Sequence, residues 1–259
     1  MVDSVDKTKP VDFFESAVTA NQLTQWFEGR LGEQVQTIEH HLLDRALRNC
    51  FGYHLLQVGL PEQRPSYANC PVDHKSILTP YRYQSDESLL IGKATEIPVE
   101  SGALDAVVLQ HTLDFSLHPH QVLREATRVL IPRGTLLITG FNPYSLLGMT
   151  RYLPVLSRRE PSLGNFLSVK RLTDWLTLLE YELELVQYGC HGAPFLSKNE
   201  SKLSNGLPGG GVYMIAAKKQ VVGTRLIKPV WKKEPRPLVS LPVAKASTIV
   251  PFPNKRDKK

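Results

Sequence analysis

Apolar residues first recur regularly between residues 22 and 49. Leu23, Trp26 and Phe27 are followed by Leu31, Val35, Ile38, Leu42, Leu43, Ala46 and Leu47 at steps of three and four. Such spacing draws one stripe along a helix, so it predicts amphipathic helices punctuated at Gly29 and Gly32 and stopped near Gly52. Residues 1–20 show no period and read as a loose lead-in. The rhythm then changes. The run YHLLQVG at 53–59 is short, apolar and closed by glycine, as expected of a first buried strand. A polar stretch holding Pro61, Pro65 and Pro71 follows. LLIG at 89–92 reads as another short strand, and LDAVVL at 104–109 is a β-rich run with no breaker. Pro119 suits the first turn of a helix whose face is Val122, Leu123, Ala126, Val129 and Leu130. Pro132, Arg133 and Gly134 are expected to close that helix before a strand at 135–139. A helix at 169–179, an alternating strand at 181–188 and a last strand at 212–217 complete the pattern.

Strand, helix, turn and strand in close succession make a βαβ crossover. Two strands joined by a loop at the far end suggest an antiparallel strand closing a mostly parallel sheet. The chain of 259 residues is long enough for one large α/β domain with additions. We divide it into a helical lead-in at 1–50, an α/β domain at 51–219 and a tail at 220–259.

Composition sharpens this division. An apolar share of 42% and a charged share of 22% are ordinary for a globular protein. No apolar stretch reaches the roughly 18 residues of a membrane span. The polar N-terminus, with Asp3 and Asp6, does not resemble a secretory signal. Cys50, Cys70 and Cys190 are odd in number and widely spaced, which fits a reducing cytoplasm rather than a disulfide framework. Cys70 and His74 lack a second ligand pair, so no metal site is expected. The net charge of +6 is unevenly held: from Lys218 onward 12 Lys and Arg face 2 acids, leaving 19 basic and 23 acidic residues in the rest. The tail, broken by prolines 229, 235, 237, 242, 251 and 253, reads as an extended solvated appendage. Attraction of the tail to nucleic acid or an anionic surface is the alternative.

The segment from Ile91 to Asn142 carries a more specific signal. It holds Gly92-Lys93-Ala94, Ile97-Pro98-Val99, Leu104-Asp105, Arg124-Glu125, Arg128-Val129-Leu130 and Pro132-Arg133-Gly134 in order. This succession resembles the class I S-adenosylmethionine-dependent methyltransferases of the type 11 methyltransferase-domain family. The similarity extends from about Trp26 to Lys218 toward a poorly characterised bacterial subgroup, through the entrance at 51–56 (FGYHLL) and Gly140-Phe141-Asn142-Pro143. The resemblance implies a Rossmann-like methyltransferase fold, S-adenosylmethionine as cofactor and a small-molecule methyl acceptor. It places Gln57, Gly59 and Leu60 at the methionine end of the cofactor and Lys93, Ala94 and Thr95 beside the adenine. Gln110 and His111 fall beneath the sulfonium, and Phe141, Asn142 and Tyr144 face the acceptor.

Two departures from the family pattern stand out. Its first motif runs acid-x-Gly-x-Gly-x-Gly, where glycine lets backbone N–H groups approach the cofactor. Here Gln57 replaces the acid, Gly59 alone survives, and Pro61 removes a donor. Lys93 stands where an adenine-side Asp is usual, and a lysine cannot accept a hydrogen bond. The alternative function is therefore a catalytically silent binding or regulatory protein on the same fold. His111 is the candidate catalytic residue, since an imidazole after a strand can serve as a general base. Its structural alternative is a hydrogen-bonded strand-end histidine. Arg124, Glu125 and Arg128 are expected to form a solvated ion-pair face of little energetic weight.

Overall fold

The structure is a computed structural model that describes residues 25–59, 67, 70–79, 88–145, 148, 164–190 and 209–221. The lead-in at 1–20, Leu60 and the tail beyond residue 221 lie outside the described residues.

Seven strands form one sheet: β1 (His54–Val58), β2 (His74–Thr79), β3 (Ser88–Ile91), β4 (Leu104–Gln110), β5 (Leu130–Phe141), β6 (Tyr181–Gly189) and β7 (Val212–Lys219). Their order across the sheet is β3-β2-β1-β4-β5-β7-β6. The first five pair in parallel. Only β7 runs the other way, between β5 and β6. The chain moves outward from β1 to β3 and returns to β4, so the strand order reverses between β1 and β4. Ligands of open α/β sheets bind beyond the carboxyl ends of the strands at that reversal. Val58 and Leu109 are register partners there.

The strand at β4 is covered on both faces. Every residue but Asp105 is buried, and each of Val107, Val108 and Leu109 contributes about 1.5–3 kcal/mol by leaving water. Asp105 Oδ2 accepts hydrogen bonds from the N–H groups of Tyr53 and His54, at 2.8 and 2.9 Å, and so anchors the entry to β1. The strand β2 escapes the sequence pattern because His74, Lys75 and Ser76 are exposed or half-buried, leaving only Ile77 and Leu78 as an apolar signal.

Four helices belong to the described residues: α1 (Arg30–Leu47), α2 (Thr112–Phe115), α3 (Pro119–Val129) and α4 (Val169–Leu178). The stripe Val35, Ile38, Leu42, Leu43 and Leu47 is buried, and α1 packs on β6 and β7. It stops at Leu47, before the expected Gly52, with the Arg48 N–H bonded to Asp44 O. Residues 25–28 form a separate helical turn. Gly29 is extended (φ −75°, ψ 158°) and breaks the two apart. Gly32 lies inside α1, where a Cβ would collide with the backbone of Trp26 and Phe27. Its missing side chain lets the 25–28 turn fold back onto the helix.

The Pro132-Arg133-Gly134 turn does not close α3, which ends at Val129. Extended backbone begins at Leu130. Leu104 pairs with Leu130 and Ala106 with Thr135, so residues 131–134 stand opposite Asp105 alone, with Arg133 at φ 67°. A proline within a strand is tolerated at such an irregularity. In β6 the expected alternation breaks at a bulge between Leu183 and Leu185, which leaves Leu185 exposed.

Candidate functional site

The carboxyl ends of β1, β4 and β5 converge with α1 and α2 on a buried group of polar side chains. Gln57 ends β1 with Val58; its Nε2 donates to Gln110 Oε1 at 2.9 Å. Gln110 Nε2 in turn donates to Glu39 Oε2 of α1 at 3.4 Å. The next residue, His111, has left-handed backbone (φ 50°, ψ 9°), which a non-glycine residue adopts at some cost. That turn sets its ring between two carboxylates. Nε2 lies 2.6 Å from Glu39 Oε1, a close ion pair off the line of an ideal hydrogen bond, and Nδ1 lies 3.0 Å from Asp114 Oδ2. Asp114 Oδ2 also accepts the Phe141 N–H at 2.9 Å, tying the end of β5 to α2. Thr112 Oγ1 donates to Val58 O at 2.9 Å, tying α2 to β1.

Water is excluded from this group: Glu39, His111 and Asp114 are at most 1% exposed. Aromatic rings complete the enclosure. Phe141 lies 4.1 Å from the His111 ring, Phe27 5.5 Å, and Trp26 packs edge-on against Phe27 and Phe141. Burial pulls the His111 pKa down, yet Glu39 and Asp114 outweigh it and raise the value to about 9. Burial raises the Asp114 pKa, against the lowering pull of the imidazolium. With a carboxylate at each ring nitrogen, both nitrogens carry protons and His111 is an imidazolium at neutral pH. Two acidic side chains thus face one imidazole at this buried edge. Asp114 Oδ1, Thr139 Oγ1 and the Tyr213 hydroxyl are buried there without hydrogen-bond partners. Tyr213 and Gly140 are register partners, and a Cβ on Gly140 would collide with the Tyr213 hydroxyl. Glycine at 140 thus admits the tyrosine to the site's edge.

The other sequence candidates lie in different settings. Gly59 is buried and its N–H is bonded to Leu78 O at 3.3 Å. Leu60 lies outside the described residues. Lys93 is exposed, whereas Ala94 and Thr95 are buried in the turn after β3. Asn142 is committed elsewhere: Nδ2 donates to the distant Gly210 O, and Oδ1 accepts from the Tyr144 N–H in a local turn. Tyr144 itself is 78% exposed. Gln57, Gln110, His111 and Phe141 come together; Lys93 and Tyr144 do not join them.

Three residues of the group escaped sequence reasoning. Glu39 had a signal: it lies four residues after Val35 and three before Leu42, a charge on the apolar stripe. Asp114 had one too, three residues after His111 and within one helical turn of it; Tyr213 had none, because only strand pairing brings it beside Gly140.

Comparison with known proteins agrees with this geometry. The methyltransferase-domain family model matches residues 71–138. An uncharacterised Escherichia coli protein, YafS, is 32% identical over 199 residues, covering 73% of this chain and 77% of its own. The chain belongs to the methyltransferase-domain family. Solved structures extend the likeness at the level of fold. A methyltransferase from Thermotoga maritima, described as a possible histamine N-methyltransferase, superposes with a TM-score of 0.59 at 18% identity, covering 77% of this chain and 95% of that one. A methyltransferase from Archaeoglobus fulgidus gives 0.56 at 15% identity, covering 76% and 98%. The 3-2-1-4-5-7-6 sheet is the class I methyltransferase fold. No helix among the described residues is long and apolar enough to cross a membrane.

Proposed function

We propose that the protein transfers a methyl group from S-adenosylmethionine to a small-molecule acceptor at the carboxyl edge of β1, β4 and β5. The observation that carries this reading is the buried Glu39–His111–Asp114 group at the reversal of strand order. A cofactor with a sulfonium and an ammonium suits an edge that holds two acidic side chains, and the unpartnered Asp114 Oδ1 leaves acceptor capacity there. Gly59, Gln110, His111 and the Ala94–Thr95 turn are the described residues that would hold it. When bound, S-adenosylmethionine supplies an electrophilic methyl group.

The chain's own residues then act mainly by placement. His111, already protonated, is a fixed charge rather than a base. Glu39 and Asp114 orient it, while Trp26, Phe27 and Phe141 exclude water. Alignment of donor and acceptor in a dry site accounts for much of the acceleration expected of such a reaction. Phe141 lines the acceptor side, with Tyr144 at its exposed rim. We place the protein in the cytoplasm, with residues 1–50 as a helical lead-in and 220–259 as a solvated tail.

One observation favours the second reading, a catalytically silent binding protein: the Gly59 N–H is already bonded to Leu78 O and cannot donate to a ligand. Calorimetric titration with S-adenosylmethionine and S-adenosylhomocysteine separates the two readings. Saturable heat from both supports methyl transfer; no heat at millimolar ligand would sink it. Mass spectrometry of a co-purified ligand would then name the acceptor class.

A further inference from the structure

We propose that Gln57, Gln110 and Glu39 form a one-way hydrogen-bond relay, with Glu39 the positioning residue that holds His111 in the site. The positioning role rests on the methyl-transfer reading; the relay rests on hydrogen-bond chemistry alone. An ionised carboxylate only accepts. Gln110 must therefore turn its NH2 toward Glu39, 3.4 Å away, which leaves its carbonyl for Gln57. Gln57 must then donate, and its Nε2 does so at 2.9 Å. Each amide orientation is dictated by the carboxylate at the end of the line. All three side chains are at most 2% exposed, so a reversed amide has no water to turn to. Beyond Glu39 the line passes through His111 and Asp114 to the Phe141 N–H, and so reaches from β1 to β5.

The relay accounts for glutamine at a position where the family pattern has an acid. A carboxylate at 57 would take the Gln110 NH2 for itself and turn the Gln110 carbonyl onto Glu39, acceptor against acceptor. One acid is compatible with the amide line from residue 57 through Gln110, and it stands on α1 instead of β1. The lead-in helix thus carries a working side chain of the site, from a segment the family model does not reach.

The relay can be run backwards. In a chain with both Gln57→Glu and Glu39→Gln, Gln110 donates to residue 57 and accepts from residue 39, whose carbonyl still faces His111 Nε2. Charge is conserved, and each bond of the relay keeps one donor and one acceptor. We expect each single substitution to lower Tm by roughly 5 °C or more. The double variant should recover at least half of the summed loss, where independent effects would add. Gln57→Glu, though isosteric, should harm more than Gln57→Leu, which removes the donor without placing a second acid; a packing role predicts the opposite order. Nitrogen NMR of His111 should show Glu39→Gln moving its titration down from about 9. Additive losses, or Gln57→Leu as the worse variant, would overturn the relay, and an unmoved titration would overturn the positioning role. Absence of S-adenosylhomocysteine binding by the unaltered protein would instead refute methyl transfer and leave these stability and titration results standing.

Discussion

His111 concentrates the chemistry of this site at one residue. Its left-handed backbone aims the ring between Glu39 and Asp114, and the two carboxylates keep it protonated in a place where burial favours the neutral ring. The same pairing links stability to pH. The folded pKa of about 9 lies above the ordinary 6.5, so His111 stabilises the fold fully below pH 6.5 and ceases to do so as pH rises through about 9. Burial raises the Asp114 pKa, but the window above pH 7 is set by His111. Thermal melts should therefore show Tm falling between pH 7 and 10. The difference for His111 alone is about 3 kcal/mol by the usual 1.36 kcal/mol per pH unit. In His111→Asn the slope should flatten, and Tm at pH 7 should drop because two buried carboxylates lose their counter-ion, at a cost of about 3–5 kcal/mol. A wild-type slope retained in that variant would assign the titration elsewhere.

Among the elements, α3 does more than cover the sheet. Glu125 and Arg128 were expected to be a solvated ion pair, yet they hold the 97–101 loop in place. Glu125 Oε2 accepts the Ile97 N–H at 3.1 Å. Arg128 donates to Ile97 O, Val99 O and Ser101 Oγ at 2.9, 3.0 and 3.1 Å while remaining paired with Glu125. That loop follows Ala94 and Thr95, so the clamp also steadies the turn proposed to border the adenine. Arg128→Met keeps most of the packing and removes the donors. We expect a loss of about 1–3 kcal/mol, as charge-assisted bonds to a partly exposed loop suggest, and faster amide exchange confined to residues 94–101. Uniform exchange throughout the chain would mean that the loop is held by other contacts. Sequence reasoning saw the charges but not their partners, because i,i+3 spacing on a helix says nothing of what lies opposite.

For the whole molecule, charge separates a body from a tail. A chain ended at residue 221 retains 21 basic and 23 acidic residues, whereas the full chain carries +6. If the tail only solvates the protein, the shortened chain should melt at the same temperature as the full one, and neither should be retained on a heparin column at 0.15 M salt, a concentration of roughly one 8 Å screening length. Salt-sensitive retention of the full chain alone would assign the tail to a polyanionic partner instead.

The order of elements was legible along the chain because each rests on local periodicity. The stripe of α1, the unbroken run of β4 and the Pro119 start of α3 were read from residues that touch near neighbours. The fold class followed, since parallel strands with helical crossovers allow few arrangements. What periodicity could not reach was anything set by contacts between distant segments. The polar start of β2 hid a strand that pairing with β1 makes stable, and the Pro132 bulge looked like a helix end because its compensation lies across the sheet at Asp105. The site divides in the same way. Gln57, Gln110 and His111 were legible as strand-end residues, but their partner Glu39 lies 71 residues before Gln110. Whether a charged residue on an apolar stripe is an error or a ligand depends on what the stripe is packed against. Only the closing of α1 over the strand ends brought carboxylate and imidazole out of water together, and so decided their protonation.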